Sequence, residues 1–324
     1  MRYIDLHAHL DGSITVPITQ KLAKMQSIPL PDDEKLKNLI VAPENCKSLN
    51  DFLKCFSFPL SLLQTEKSVS EAVNLVLCEM QKEGVVYAEI MFAPQLHTQN
   101  GISQENIVLS AIEGLKKAPI CANLLLCLMR GDGNESENRE TLCLAEKYLV
   151  RNGGVTGINL AGAEALYPTQ NYTDILNEAK KRGIPMSVHA GEADGAQSVK
   201  IAIDAGAVRI GHGVRAYEDE DVLCLIKEKG ITLEMCPTSN KITKAVADMR
   251  NYPFMKYLDM GIKVTINTDD KAIENTTIAR EFEYMEKNFS LSRKQKTKVL
   301  ENAVNSAFTT DEVKEKLKKL IVSE

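Results

Sequence analysis

Two histidines one residue apart, His7 and His9, end a short apolar run at the start of the chain. Side chains alternate across a β-strand, so both imidazoles point to the same side if this run is extended. Two imidazole nitrogens on one side can supply half of the four ligands that a divalent ion such as Zn²⁺ takes in proteins. An isolated His-X-His pair is more often satisfied by hydrogen bonds than by a metal, so the prediction of a metal site depends on where the other histidines fall.

The other residues that could take part in such chemistry also follow short apolar runs. They are His189 with Glu192, then His212, and finally Asp269 with Asp270. Three imidazoles and a carboxylate suit Zn²⁺ best, although Fe²⁺ and Co²⁺ also accept nitrogen and oxygen ligands. We therefore predict one zinc ion per chain, with water in its open position, whose pKa a bound zinc lowers to about 7. The predicted ligands are His7, His9, His189 and Asp269.

Two side chains beside the predicted ligands could move protons. Glu192 is three residues beyond a ligand and follows Gly191, which places it to act as a general acid or base toward a substrate nitrogen. His212 lies one predicted strand further round, where it could hold or deprotonate the water. The fifth histidine, His97, follows the second apolar run, and we predict that it is a loop residue without a role in the site.

The apolar runs alternate with amphipathic helical patterns along the whole chain. The predicted strands are the run that ends at His9, 85–92, 120–129, 155–160, 185–188, 208–210, 231–235 and 262–266. Short apolar runs of this kind are typical of parallel strands that are buried on both faces. Eight of them, separated by helical sequence, predict an α/β fold of the TIM-type (β/α)8 barrel class, in which active-site residues gather where the strands end. An open doubly wound sheet is the alternative, but the sequence has no Gly-X-Gly-X-X-Gly turn or phosphate-binding loop to support it.

One domain over residues 1–324 is the simplest partition, with an insertion at about residues 29–63. Residues 29–45 are polar and interrupted by prolines, so we predict a loop there, and a second loop over residues 236–240. Residues 48–51 form a capping-box pattern, and the apolar residues that begin within it recur with the spacing of one face of a helix. Those apolar residues are Leu49, Phe52, Leu53 and Phe56. Three helical segments are predicted after the last strand.

Composition excludes several classes of protein. The 324 residues are 44% hydrophobic, and 39 Lys and Arg against 44 Asp and Glu give a net charge of -5, which argues against a nucleic-acid partner. No run approaches the roughly 20 apolar residues of a transmembrane helix, and no signal-peptide pattern precedes the first strand, so we expect no membrane partner and a cytoplasmic location. The eight cysteines contain no Cys-X-X-Cys pair and are predicted to be reduced core thiols. The sequence does not indicate an oligomeric state.

Eight short motifs occur in the order characteristic of the adenosine deaminase family of metal-dependent, amidohydrolase-like barrels, and the sequence resembles that family over nearly its whole length. The motifs are His7 to Gly12, Ser48-Leu49 through Phe52-Leu53, Glu89-Ile90 through Ala93-Pro94, Leu160 to Gly162, His189 to Glu192, Gly211 to Gly213, Cys236 to Asn240 and Asn267 to Asp270. The resemblance implies a zinc-dependent enzyme that deaminates adenosine and 2′-deoxyadenosine to inosine and deoxyinosine, with release of ammonia, in purine salvage. A small purine nucleoside is then the expected partner.

The resemblance also implies a role for each residue that matches a family position. The zinc ligands would be His7, His9, His189 and Asp269. Glu192 would protonate purine N1, His212 would orient the attacking hydroxide, and Asp270 would hydrogen-bond N7. Gly162 would offer its backbone N–H to N3, and Asp11 would hold the ribose 5′-hydroxyl. The lid over the nucleoside would consist of Leu49, Phe52, Leu53 and Phe56.

Four positions depart from the family pattern. Met91 stands where arginine is common, Asn159 and Ala163 where aspartates are common, and Lys271 where proline often follows the paired aspartates. None of the four is a predicted ligand. They bear on the bracing of the loops and on substrate preference more than on hydrolysis itself.

Two other functions remain open. A related purine deaminase would act on adenine or on an N6-modified or phosphorylated adenosine. Asp11 argues against adenine, because adenine-specific relatives usually carry Glu there, and against a phosphorylated substrate, because an aspartate repels a 5′-phosphate. The tolerance of N6-modified substrates stays open. A catalytically silent nucleoside-binding protein on the same barrel is less favoured, since His212, Glu192 and Asp270 are intact. A dinuclear hydrolase would need a lysine between residues 155 and 167, and a cytidine-deaminase zinc site would need a Pro-Cys-X-X-Cys motif; the sequence has neither.

Overall fold

The computed structural model describes residues 1–43, 46 and 48–322, and eight parallel strands within them form one sheet in the order β1 to β8. The strands are β1 Tyr3–His9, β2 Val85–Phe92, β3 Cys121–Met129, β4 Val155–Ala161, β5 Met186–Ala190, β6 Arg209–His212, β7 Thr232–Met235 and β8 Lys263–Ile266. Backbone hydrogen bonds join β1 to the residues after β8: the Asp269 N–H donates to the His7 carbonyl at 2.8 Å, and the His9 N–H donates to the Asp269 carbonyl at 2.9 Å. The predicted TIM-type barrel is confirmed.

Fifteen α-helices lie within the described residues, between the strands and after the last one. They are α1 Val16–Gln26, α2 Asp33–Ile40, α3 Leu49–Phe52, α4 Ser57–Ser61, α5 Glu66–Lys82, α6 Gln104–Lys116, α7 Glu135–Lys147, α8 Thr173–Lys181, α9 Ala196–Asp204, α10 Glu220–Lys229, α11 Pro237–Ile242, α12 Phe254–Asp259, α13 Ile278–Phe289, α14 Arg293–Ser306 and α15 Asp311–Val322. Every residue of β4 and β5 is buried, because helices cover the outside of the sheet while strand side chains fill its inside. Among the described helices, none combines the length and the apolar composition needed to span a membrane.

Strands β5 and β6 extend further than their apolar runs predict. The prediction ends them at Val188 and Ile210, but the ladder continues, with His189 paired to Gly211 and Ala190 paired to His212. Backbone pairing does not depend on the side chain, so polar residues can continue a strand into the mouth of the barrel. Both histidines therefore sit on paired backbone rather than on loops.

Two predictions for the insertion were wrong. The polar stretch predicted as a loop contains α2, whose first turn is capped because the Asp32 carboxylate accepts the Lys35 N–H at 3.0 Å. The predicted helix beyond Leu49 is interrupted: a 3₁₀ turn at Leu53–Phe56 separates α3 from α4. Pro59 gives a physical reason, since its ring would clash with the carbonyl four residues earlier in a continuous α-helix.

The loop predicted over residues 236–240 was also wrong, because α11 begins at Pro237, a residue suited to the first position of a helix. Residues 44, 45, 47, 323 and 324 lie outside the described residues. They include the last two positions of the predicted loop at 29–45 and the C-terminal end of the predicted domain.

Candidate active site

The predicted metal ligands meet at the C-terminal mouth of the barrel. The Nε2 atom of His189 lies 3.0 Å from Nε2 of His7 and 3.3 Å from Nε2 of His9. An Asp269 carboxylate oxygen lies 3.4 Å from Nε2 of both His7 and His9. Donor atoms held about 2.0 to 2.1 Å from a tetrahedral ion are about 3.3 Å apart. The four side chains thus fit a single small divalent ion, which agrees with their mutual separations of less than 4.8 Å.

The charges of these ligands are interdependent. Burial by itself lowers the pKa of His7, but hydrogen bonds with Asp269 and Glu234 raise it to about 10. Burial lowers the pKa of His9 to about 4 and that of His189 well below its ordinary value. For Asp269, burial is outweighed by the hydrogen bond with His7 and by the neighbouring imidazoles, so its pKa is well below the usual range. A metal ion binds a carboxylate and neutral imidazoles, so Asp269, His9 and His189 are in the binding form, whereas His7 would lose its proton when a metal ion binds.

In two of the predicted ligand histidines, the ring nitrogen that faces away from the cluster, Nδ1, contacts a hydrogen-bond acceptor, and the two acceptors differ in kind. His7 Nδ1 lies 2.7 Å from Oε2 of Glu234, and His189 Nδ1 lies 2.8 Å from Oδ1 of Asn159. Such partners fix the ring and leave Nε2 free for the metal. Glu234 in turn forms an ion pair with Arg209, which donates to Glu89 at 2.6 Å.

Sequence reasoning missed Glu234 and gave Asn159 no role. A signal for Glu234 exists, because a single charged residue interrupts the otherwise buried, largely apolar strand β7. Asn159 has a comparable signal, since it is the one side-chain amide in strand β4, all of whose residues are buried.

Glu192 and His212 lie beside the ligand cluster. His212 Nε2 is 3.6 Å from Oε2 of Glu192 and 3.7 Å from Oδ2 of Asp269. Burial raises the pKa of Glu192, and the charges of Asp269 and Glu164 add to that effect against the opposing charge of His212. A carboxyl group in this environment is suited to hold and deliver a proton.

Two residues of the candidate site adopt a backbone conformation that L-residues rarely occupy. His212 has φ +62° and Asp269 has φ +58°. Such conformations cost about 1 to 3 kcal/mol and are concentrated at functional sites. Gly12 makes room next to the cluster, because a Cβ there would lie 1.7 Å from Oδ1 of Asp270.

A cavity of about 270 Å³ opens above the cluster. The predicted residues that line it are His9, Asp11, Leu49, Phe52, Leu53, Phe56, Gly162, His189, Glu192, His212, Asp269 and Asp270. His7 lies beneath, fully buried. Burial raises the pKa of Asp11 to about 6, and burial together with the Asp269 charge raises the pKa of Asp270 well above its ordinary value.

His97 is in the turn after β2, as predicted, and it is fully buried. Its Nδ1 lies 3.0 Å from the Leu63 carbonyl, and burial lowers its pKa to about 4. A neutral imidazole there joins the turn after β2 to the end of the insertion.

Three departures from the family pattern also have defined places. Met91 is fully buried and packs with Leu125 and Cys127 below the cavity, whereas Ala163 lines the cavity itself. Lys271 is buried, with its Nζ 2.6 Å from Oε1 of Glu83, the residue that follows α5.

An eight-stranded parallel barrel with a metal-ligand cluster, a buried carboxyl group and a cavity at its C-terminal mouth is the arrangement of a metal-dependent hydrolase. The sequence model described as "Adenosine deaminase" matches residues 3–324. Curated adenosine deaminases from Haemophilus ducreyi and Enterococcus faecalis are 44% and 39% identical to the chain, over 97% and 98% of it and 94% and 95% of their own lengths. The chain belongs to the adenosine deaminase family, so its function is adenosine deamination, the hydrolytic removal of an amino group from a purine.

Solved structures agree in fold. An adenine deaminase from Arthrobacter aurescens superposes with a TM-score of 0.87 at 26% identity, covering 98% of this chain and 97% of that one. The N6-mAMP deaminase of Arabidopsis gives 0.87 at 26% identity, covering 100% and 98%. The similar structures thus include deaminases of several purines, and family membership implies a catalytic divalent metal at the cluster.

Proposed function

We propose that the chain deaminates adenosine and 2′-deoxyadenosine with one zinc ion held by His7, His9, His189 and Asp269. The observation that carries this proposal is the set of donor separations, 3.0 to 3.4 Å, beside the buried carboxyl group of Glu192. Three nitrogens and one oxygen at tetrahedral spacing favour zinc over ions that prefer six oxygen ligands. When bound, such an ion supplies an activated water as nucleophile at neutral pH.

The carbon that carries the amino group of adenine is a poor electrophile until purine N1 is protonated. Glu192 lies at the cavity wall with a raised pKa, so we assign it the delivery of that proton. His212 is 3.7 Å from the Asp269 carboxylate and faces the same space. We assign His212 the orientation and deprotonation of the attacking water.

Three further groups would hold the substrate. Purine N7 accepts hydrogen bonds, and Asp270 can donate one only when protonated, which its raised pKa favours. Gly162 would offer its N–H to N3, and Asp11 would accept from the ribose 5′-hydroxyl; both line the cavity. The lid formed by Leu49, Phe52, Leu53 and Phe56 would exclude water from the bound nucleoside.

A nucleotide substrate is the second candidate, because Arabidopsis ADAL, which is 25% identical to this chain, has been solved in complex with GMP and with IMP. The cavity of this chain disfavours a phosphate. Arg130 is the one Lys or Arg among the described residues that line it, and its guanidinium donates to the Tyr167 and His189 carbonyls at 2.6 and 2.7 Å. Asp11 would add a repulsive charge.

We also propose a single domain with a lid over residues 29–63, and a cytoplasmic location. The eight free cysteines suit a reducing compartment.

The test is an absorbance and ammonia-release assay on the purified, zinc-loaded chain with adenosine, 2′-deoxyadenosine, adenine, AMP and N6-methyl-AMP. We expect turnover of the first two substrates, and loss of at least a hundredfold in kcat for Glu192→Gln, with unchanged zinc content, since general acid catalysis contributes about 10² to 10⁴. Turnover of AMP or adenine in preference to adenosine would overturn the substrate assignment. Full activity of Glu192→Gln would overturn the proton-delivery assignment.

A further inference from the structure

A second buried carboxylate, Glu164, lies behind the loop that carries Glu192. It follows β4, and its side chain is 1% exposed. Oε1 accepts the Gly191 N–H at 2.7 Å and the Ser198 hydroxyl at 2.6 Å. Oε2 accepts the N–H groups of Glu192, Ala193 and Asp194, at 3.0, 2.7 and 3.1 Å. One side chain thus satisfies four successive backbone donors of the loop between β5 and α9.

These N–H groups need an acceptor. A buried backbone donor without a partner costs about 1 to 3 kcal/mol, and successive N–H groups that converge on one point form a typical binding place for an anion. Gly191 makes the convergence possible with φ +69°, and a Cβ there would lie 2.6 Å from a Val199 methyl carbon. The loop conformation is therefore matched to the Glu164 carboxylate.

A chain of hydrogen bonds connects this carboxylate to the backbone of a predicted metal ligand. Ser198 and Thr169 hydroxyl oxygens are 2.7 Å apart, and Arg130 donates to the Thr169 hydroxyl at 2.9 Å and to the His189 carbonyl at 2.7 Å. The backbone on both sides of the turn, at His189 and at Glu192, is thus fixed by the same network.

We propose that Glu164 is a positioning residue for catalysis: it holds the loop at 191–194 so that the Glu192 carboxyl group faces the substrate nitrogen that it protonates. The proposal rests on the function proposed above for Glu192. At the far side of that carboxyl group, Thr243 Oγ1 lies 3.0 Å from Oε1. The Glu192 carboxyl group is therefore fixed from the backbone side by Glu164 and from the side-chain end by Thr243, a preorganisation that transition-state stabilisation requires.

The test compares Glu164→Gln, Glu192→Gln and the double variant in the full-length, zinc-loaded enzyme. Glutamine at 164 keeps the shape but turns one acceptor into a donor facing N–H groups. We expect kcat of Glu164→Gln to fall about 100-fold, the cost of a displacement of about 1 Å, with KM changed less than about threefold and zinc content unchanged. In the Glu192→Gln background, Glu164→Gln should cause no further loss, because the two act through one group.

Three additional measurements separate positioning from general damage. Glu164→Asp, which retains the charge and both acceptors, should keep at least tenfold more activity than Glu164→Gln. An adenosine analogue with C–H in place of N1 cannot form the hydrogen bond between N1 and Glu192. Its binding should therefore be unchanged in Glu164→Gln. Ser198→Ala removes one hydrogen bond to Glu164 and leaves the N–H donors of the loop in place, so it should lower kcat by a smaller factor than Glu164→Gln does. This variant tests the same network if Glu164→Gln does not fold. Glu113→Gln, at an exposed glutamate, is the matched control.

Additive losses in the double variant, or equal weakening of kcat and of analogue binding, would overturn the positioning role. An unchanged kcat in Glu164→Gln would do the same. Full activity of Glu192→Gln would instead remove the proposed function of Glu192, which makes the two failures distinguishable.

Discussion

The two imidazoles that are held from behind differ in their partners. His7 is backed by the carboxylate of Glu234, whereas His189 is backed by the carboxamide of Asn159. A carboxylate makes the imidazole a stronger electron donor than a neutral amide does. The Nδ2 atom of Asn159 is buried and has no partner among the described residues. The ligand cluster therefore contains one strongly and one weakly polarised histidine.

Asn159→Asp should tighten metal binding. A carboxylate behind His189 should slow the loss of metal to a chelator about tenfold, since partners of metal ligands contribute about 10- to 100-fold to affinity. The same change buries a second oxygen where Nδ2 has no partner, so the thermal midpoint of the metal-free protein should fall. Asn159→Ala, which releases the ring, should speed metal loss. Equal rates of metal loss in all three proteins would contradict the role of Asn159.

Thr243→Val should shift the pH dependence of activity. The Thr243 hydroxyl lowers the pKa of Glu192 against the larger effect of burial, so its removal raises that pKa. If Glu192 acts in its protonated form, activity is lost as the pH rises above its pKa, and the alkaline limb of the kcat/KM profile should move to higher pH. Thr156→Val, a buried threonine on β4 whose hydroxyl has no partner among the described residues, is the matched control. An unmoved limb would contradict the assignment.

For single residues, the sequence predicted which side chains form the candidate site better than it predicted which other residues those side chains contact. His7, His9, His189 and Asp269 stood out because imidazoles and paired carboxylates followed apolar runs. Glu234 did not, since a carboxylate within a strand can point inward or outward, and only the register of the neighbouring strands decides which residue it meets. That register depends on the whole barrel.

The insertion between α1 and α5 is built from short pieces of helix. Phe52 is buried and its ring packs edge-on against the half-buried Phe56, with centroids 5.9 Å apart. The 3₁₀ turn at Leu53–Phe56 directs both rings toward the cavity. His97 and the Leu63 carbonyl then join the end of this segment to the barrel.

Phe56→Ala should weaken substrate binding more than it weakens the fold. The ring is half-buried in the free protein and would be covered by a nucleoside, so its loss should raise KM about tenfold, which corresponds to about 1.4 kcal/mol. The thermal midpoint should change little. Phe58→Ala provides the control, because Phe58 packs against the buried cluster that contains Leu36 and Ile40 of α2 and is not among the cavity residues. An equal rise of KM in both variants would argue against a lid that contacts substrate.

Element prediction was accurate where the apolar pattern was regular. The strand Val85–Phe92 has the predicted bounds, and three helices, α13 to α15, follow the last strand as predicted. The insertion was predicted less well, because α2 has few apolar residues and is stabilised by its cap and by packing of Leu36 and Ile40 against other parts of the chain. Polar composition alone could not distinguish it from a loop.

For the whole molecule, the proposed metal site and the closure of the barrel occupy the same place. Two of the proposed ligands come from β1, one from β5 and one from the residues after β8, where the backbones of His7 and His9 pair with Asp269. The eight βα units could be predicted from the sequence, and so could their parallel order. Their exact closure could not, since it depends on backbone hydrogen bonds between residues that are far apart in the chain.

Removal of the metal should therefore destabilise the barrel where β1 pairs with the residues after β8. A ligand present at about 1,000 times its dissociation constant contributes about 4 kcal/mol, so chelation should lower the thermal midpoint by several degrees. Hydrogen exchange should accelerate first in β1 and β8. The control is His9→Asn, in which chelation should have little effect. If chelation leaves the thermal midpoint of the unmutated protein unchanged, metal binding and the stability of the barrel are not coupled.

The closure by Asp269 also sets an order of events during synthesis. A ribosome releases β1 early, but the last ligand emerges only after β8, when most of the chain has been made. A nascent chain can offer His7, His9 and later His189, yet it cannot present the complete four-ligand site. With the proposed ligands, metal loading would follow translation of most of the protein, and a chain truncated before Asp269 would lose the fourth ligand and the final pairing of the sheet together.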